Sequence, residues 1–405
     1  MALTLALADA ALKEDYLPSI REQLNQDFPF LAQIERNSKD VEGRRAVLSL
    51  HVKRNSGVGA RAEGGTLPTA GNQGYAEERV PLRYNYARIQ INGPVIKAMK
   101  SDRGSFTRAV SSEVNGALED LKRDVNRQLF GTSNGVIATC GTTTTSNDVV
   151  LLNPTTVQLG QLEVGMVVDI GTVASPSTVA AGRTITAVTT TGFTIDGATI
   201  STTSGTHFVF RQGAGGATTA QKELTGLQTI VDSSGTLFNV DPSSYPVWSS
   251  YEKGSIGAVS DVVFERAIHA IRRKGGGAPN LLVTSDGVER AYSATLTSQK
   301  RFANTIELKG GYSGLSVGAG GSSLSLMWDR DCPYQTAFIL NTNHLFQHEM
   351  SDWEWMDDDG AVLSRVSGVD AYEATLYKYH ELTTDQRNAH GKLTGIDEDV
   401  DLYVP

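Results

Sequence analysis

The chain has 405 residues, 40% of them hydrophobic and 20% charged, with a formal net charge of −9. That is the make-up of a folded protein with room for two or three domains, and no apolar run approaches the ~20 residues of a membrane-spanning helix. The opening Met1-Ala2-Leu3-Thr4-Leu5 lacks the basic region of a signal peptide, so the sequence reads as cytoplasmic in the cell that makes it.

Charge is unevenly spread. Residues 1–134 carry 19 basic and 16 acidic side chains, and residues 346–405 carry 4 basic and 14 acidic ones. The acidic balance disfavours sequence-independent DNA binding, while a basic front and an acidic tail can attract each other between copies of the chain.

Residues 3–36 read as short helices interrupted at Pro18 and Pro29, where proline withholds the amide a helix interior needs. "AVLSLHVKR" (46–54) alternates: Leu48, Leu50 and Val52 share one face, and His51 takes a solvent-facing place on the other. "LRYNYARIQIN" (82–92) alternates too, but its phase slips near Ala87, which predicts a bulge. These two strands are expected to form a long hairpin around the tip "RNSGVGARAEGGTLPTAG" (54–71).

The segment 102–130 is the clearest helix. Phe106, Val110, Val114, Leu118, Leu121 and Val125 recur at three- and four-residue steps. Asp120 with Arg123 and Asp124 with Arg127 are placed as ion pairs on the wet side. Asp102 is the expected cap and Gly131 the stop.

Composition then changes. Residues 139–206 hold 19 threonines, one arginine and no lysine. Short apolar-alternating stretches separated by Gly, Ser and Thr predict an inserted β-barrel or sandwich over 135–217. From 220 the pattern turns to mixed helix and strand. Ser260 is placed to cap "DVVFERAIHAIRRK" and Gly275 to end it. "NLLVTSD" reads as a buried strand, "SDGVERAYSATLT" as a helix, and "SLSLMWD", "QTAFILN" and "DAYEATLYKYH" as later strands.

Enzymatic motifs fail on context. Gly57-x-Gly59-x-x-Ala62 fits a dinucleotide fingerprint, but that turn needs a helix directly after it, and Gly64, Gly65, Pro68, Gly71 and Gly74 forbid one. Cys140 and Cys332 form no C-x-x-C pair, and Cys332 with His344 or His348 reads as a buried thiol near ordinary histidines. "MDDDG" (356–360) lacks the spacing of a cation loop. No catalytic residue, cofactor or metal is expected. What remains at 54–71 is a long tip on a hairpin that cannot bury its own faces and so needs a partner.

The order of these parts, with "EGGTLP", "LTGLQTIVDSSGTL" (224–237), "LLVTSDGVERAYSATLT" (281–297), "DRDCPYQTAFILNTNHL" (329–345) and "VDAYEATLYKYHELTTDQRNAHGKLTGI" (369–396), resembles the tailed-bacteriophage major capsid protein. The resemblance implies an α+β Hong Kong 97-like fold with an inserted β-domain. Under it, 1–43 is an N-terminal arm and 44–95 an extended loop reaching onto a neighbouring subunit. Residues 96–134 belong to a peripheral domain around a spine helix, 218–345 to an axial domain, and 346–405 return to both. Contacts between subunits are then expected at Gly57, Gly59, Arg61, Glu63, Gly64, Gly65, Leu67, Pro68, Tyr84 and Tyr86.

The resemblance also implies hexamers and pentamers of one chain in an icosahedral virion shell, assembled in the host cytoplasm around double-stranded DNA that is not read by sequence. Portal, scaffolding and decoration proteins are the implied partners, with no membrane. Scaffolding is expected to be separate or already removed, since the chain enters its arm at once. The only lysine of the hairpin is Lys53, well before the tip, so no Lys–Asn crosslink is expected. Two other readings stand beside this one: an encapsulin-type compartment of the same fold, and a hydrolase or nucleotide-dependent enzyme with a β-sandwich appendage.

Overall fold

The computed structural model describes residues 28–93, 103–217, 220–298, 305–307, 313–319, 322–357 and 362–398. Within these, side chains are described except at 42, 103–115, 297–298, 305–307 and 313–323. Residues 1–27, including Pro18, and Asp102 lie outside the described residues.

Pro29 opens a short helix, Pro29–Gln33, in the first turn, where no amide is needed. Ile34 then turns extended. Glu35–Asn37, expected to be helical, is a strand parallel to Phe346–Glu349.

The 13-residue strand Ala371–Thr383 organises the first sheet. It pairs antiparallel with Arg83–Asn92 along that strand's whole length, and with Phe346–Glu349, Glu354–Trp355 and Ser364–Arg365. The register with Arg83–Asn92 is unbroken, so the bulge expected near Ala87 is absent. The apparent slip has another cause: the inward position Asn85 is a buried polar residue, while Tyr84 and Tyr86 face outward.

The long helix, Arg103–Leu129, packs beside this sheet. Leu118, Leu121 and Val125 are buried in the main core with Leu129. Phe106, Val110 and Val114 lie on the helix backbone, but their side chains are outside the described set. The polar side of the helix is largely covered over its last two turns. Lys122, Asn126, Arg127 and Gln128 are all buried, and the Asp124–Arg127 pair (3.0 Å) is only 12% and 8% exposed. Arg123 turns to Glu163 and to the Gly160 carbonyl. Sequence periodicity shows which face is apolar; it does not show that other segments cover the polar face.

Residues 136–211 contribute a six-stranded sheet in the order Val136–Thr139, Phe208–Arg211, Val167–Gly171, Ala180–Thr189, Gly192–Ile195, Asp148–Val150. The two outer strands meet again through a Cys140–Leu151 bridge, with amide bonds from Gly141 to the Val150 carbonyl and from Leu152 to that of Thr139. The sheet therefore closes into a barrel around its own core of Ile137, Val168, Ile170, Phe193 and Val209.

The last sheet has seven strands, in the order Tyr251–Lys253, Gly391–Thr394, Thr336–Leu340, Leu281–Thr284, Ser322–Trp328, Ser313–Ala319, Thr305–Glu307. Leu281–Thr284 is buried at every position because both faces are covered. Leu282 joins a cluster with the helices Asp261–Arg273 and Asp286–Ser298, while Leu281 and Val283 join the main core. Ser260 holds the cap position of the first of these helices, but its side chain makes no capping bond. Gly275 follows that helix at φ +95°, a backbone region open to glycine.

Candidate assembly interface

The hairpin's second strand is not the one the sequence suggested. Arg45–Lys53 pairs with Gly74–Pro81, and Arg83–Asn92 leaves for the sheet of Ala371–Thr383. Gly74–Pro81 hides in the sequence because its inward positions read Ala76, Glu78, Val80, an alternation broken by a carboxylate.

Ala46, Leu50 and Val80 bury the root of the hairpin in the main core. The amide of Arg79 also donates to the Phe238 carbonyl at 3.0 Å. The loop carrying Phe238 is itself held by the buried Arg387. Its Nε donates to the carbonyl of Ile230 (2.9 Å), Nη1 to Gly235 (2.9 Å), and Nη2 to Thr229 (3.0 Å) and Ser234 (2.9 Å).

Beyond the root the hairpin projects. Val58 is 83% exposed and Leu67 81%; Gly59, Glu63, Gly64 and Gly65 are exposed, and Gly57 and Pro68 half-buried. The tip has internal order. A Cβ on Gly57 would lie 2.9 Å from both the Gly71 amide nitrogen and the Thr69 oxygen, so the two arms cross where only glycine fits. Gly64, at φ +74°, and a bond from the Gly65 amide to the Ala62 carbonyl (2.9 Å) make the turn. Arg61 folds back, donating to the carbonyls of Thr66 and Ala60, each at 2.9 Å. No helix occurs between Lys53 and Gly74, so the phosphate-cradle geometry is not built.

Tyr84 and Tyr86 are not in the hairpin. They stand on the outward face of the first sheet, half exposed, with Tyr379 at 5.0 Å and 6.2 Å between ring centroids and Tyr377 next to Tyr379 at 4.9 Å. Partial burial and the bond to Tyr379 push the Tyr86 hydroxyl up to about 12.

A buried polar layer was missed from sequence. Asn85 bonds His380 (3.0 Å) and accepts from Gln128 (2.9 Å). Glu381 takes Arg83 at 3.1 Å and the Thr225 amide at 2.6 Å. Lys378 pairs with Glu349 at 2.5 Å beneath Trp353. Desolvation pushes Glu381 up to about 7 and Lys378 down. The signal was the inward Lys378 and His380 of "LYKYHE", where alternation demands apolar residues. This layer ties the returning strand to the long helix.

Cys332 is buried beside the Thr336 carbonyl, and burial with nearby carboxylates holds its thiol well above the usual range. His344 bonds Asp385 and His348 bonds Thr383, so neither is engaged with the thiol. Of "MDDDG", Met356 and Asp357 are described and 358–360 lie outside the described residues. Among the described residues no group of three or more His, Cys, Asp or Glu side chains is placed to hold a metal.

No protein-family profile and no curated protein matches the sequence. Among solved structures, the chain is similar to the Cyanophage A-1(L) capsid asymmetric unit, with a TM-score of 0.55 and 12% identity over 91% of this chain and 92% of that one. The fold is Hong Kong 97-like. Weaker similarities include the SrpI encapsulin of Synechococcus elongatus PCC 7942 (TM-score 0.47, 9% identity, 93% and 90% covered) and an empty GTA particle capsid (0.46, 11%, 90% and 89%). Of the large hydrophobic residues exposed among those described, Val58 and Leu67 on the projecting hairpin are the most exposed.

Proposed function

We propose that this chain is the major capsid protein of a tailed bacteriophage, a structural subunit that assembles as hexamers and pentamers into an icosahedral virion shell around double-stranded DNA. The observation that carries the reading is a capsid-type fold over nine-tenths of the chain combined with a hairpin rooted in the core and exposing Val58 and Leu67. Exposed apolar side chains on a projecting arm are stabilised by a partner surface, and a closed shell sums many such contacts.

In this reading the hairpin is the extended loop that clamps a neighbour, and Arg103–Leu129 is the spine helix. The first sheet is the peripheral domain and the seven-stranded sheet the axial domain. Glu63 and the outward Tyr84 and Tyr86 are further contact candidates. The chemistry is association, without turnover. Assembly in the host cytoplasm and the portal, scaffolding and decoration partners belong to the same proposal.

Negative-stain microscopy of the purified full chain tests it. Closed icosahedral particles are the expected result, and nucleic acid content in particles from infected cells separates a viral shell from a cargo compartment. A protein that stays dispersed at all concentrations and salts, alone and with its scaffold, overturns the proposal.

A further inference from the structure

Glu78 breaks the rule that buried polar groups find partners. It stands at an inward position of Gly74–Pro81, across from Leu48, and is fully buried. Neither carboxyl oxygen has a hydrogen-bond partner. A side chain in that state is tolerated as a neutral acid and strongly disfavoured as an anion.

The surroundings reinforce this. The facing strand brings the aliphatic Leu48. The loop over the root brings the Phe238 carbonyl, already bonded to the Arg79 amide. The turn after Ala371–Thr383 brings a second acid, Asp385, which opposes ionisation of Glu78 and is itself paired with His344 at 2.9 Å. The buried His348 feels the same Asp385, with Asp40 4.0 Å from its Nε2. On the returning strand, His380 and Glu381 are bonded to Asn85 and to Arg83 and Thr225. On Glu78's own strand, Glu77 and Arg79 face outward and bind each other at 2.9 Å. No cation pairs with Glu78 among the described residues.

We propose that Glu78 is a proton-controlled latch at the root of the hairpin: protonated, it keeps the root seated on the core, and on losing its proton it opens that seat. Burial raises the carboxyl well above its ordinary value of 4.5. The seated root therefore holds a proton that the opened root releases, so seating is firmest in acid. Between the ordinary and the raised value, opening grows about tenfold per pH unit. Above the raised value it levels off. The consequence for shell assembly rests on the capsid reading; the latch itself does not.

The test is hydrogen exchange on the full chain in dilute solution, expressed as protection factors from pH 5 upward. Amides of 76–80 and 82 are compared with those of Leu281–Thr284, a strand whose Leu281 and Val283 lie in the same main core. Protection at 76–80 and 82 should fall about tenfold per pH unit at first, while 281–284 holds. Glu78→Gln and Glu78→Leu should each flatten the profile at 76–80 and 82. A wild-type profile without pH dependence, a loss shared equally by 281–284, or a Glu78→Gln profile matching wild type overturns the latch. Where a variant fails to fold, the comparison of the two wild-type segments still decides. Particle formation is a separate readout, so the latch and the capsid reading fail independently.

Discussion

Arg387 shows what one residue can fix. Its guanidinium is buried yet fully used, donating to four carbonyls of the 229–235 segment. Burial lowers it to about 10, so it stays charged at neutral pH. That segment leads directly to Phe238, whose carbonyl holds the hairpin root. Arg387→Ala should strand several of these carbonyls and cost on the order of 3 kcal/mol. Arg387→Lys should lose nearly as much, because one ammonium cannot reproduce the planar fork. Urea midpoints of the full chain measure both, and a loss under about 1 kcal/mol for the alanine variant would show that the loop is held by other contacts.

At the scale of the element, the hairpin divides into a seated root and a projecting tip. Residues 57–72 contribute nothing to the main core, whereas Ala46, Leu50 and Val80 do. Deleting 57–72 should therefore leave a folded chain with stability within about 1 kcal/mol of the intact one, yet one that closes no particles. Size-exclusion chromatography with microscopy, run beside the intact protein, checks both halves. Normal particles from the shortened chain would refute the clamp.

At the scale of the whole molecule, the barrel is joined to the rest by polar contacts. Arg211 reaches Asp124 at 3.4 Å, and Gln161 donates to Asp331 at 3.0 Å. Between the barrel and the long helix lies a cavity of 530 Å³ lined by Asp120, Arg123, Arg127, Glu163 and Arg211 among others. Such partly exposed ion pairs contribute about 0–1 kcal/mol each, whereas the barrel's apolar cluster is its own. Residues 135–217 expressed alone should give a dispersed β-type NMR spectrum and a cooperative melt. A random-coil spectrum would show that the barrel depends on the body for its fold.

The sequence by itself determined the elements whose signal is local. Periodicity located the long helix and its buried Leu118, Leu121 and Val125. Alternation located Arg45–Lys53, and the Lys-free, Thr-rich composition located the barrel. Glycines and Pro68 alone removed the phosphate-cradle reading of Gly57-x-Gly59. Tertiary structure decided whatever depends on which surfaces meet. It set which strand closes the hairpin, because Glu78 disguises the inward face of Gly74–Pro81. It placed Tyr84 and Tyr86 on a different sheet from the tip, since pairing with Ala371–Thr383 spans almost three hundred residues of chain. It also buried the polar side of the long helix, as no local pattern shows what a distant segment will cover. Burial is a property of the assembled chain, and the latch at Glu78 exists only because that assembly leaves a carboxyl dry and unpaired.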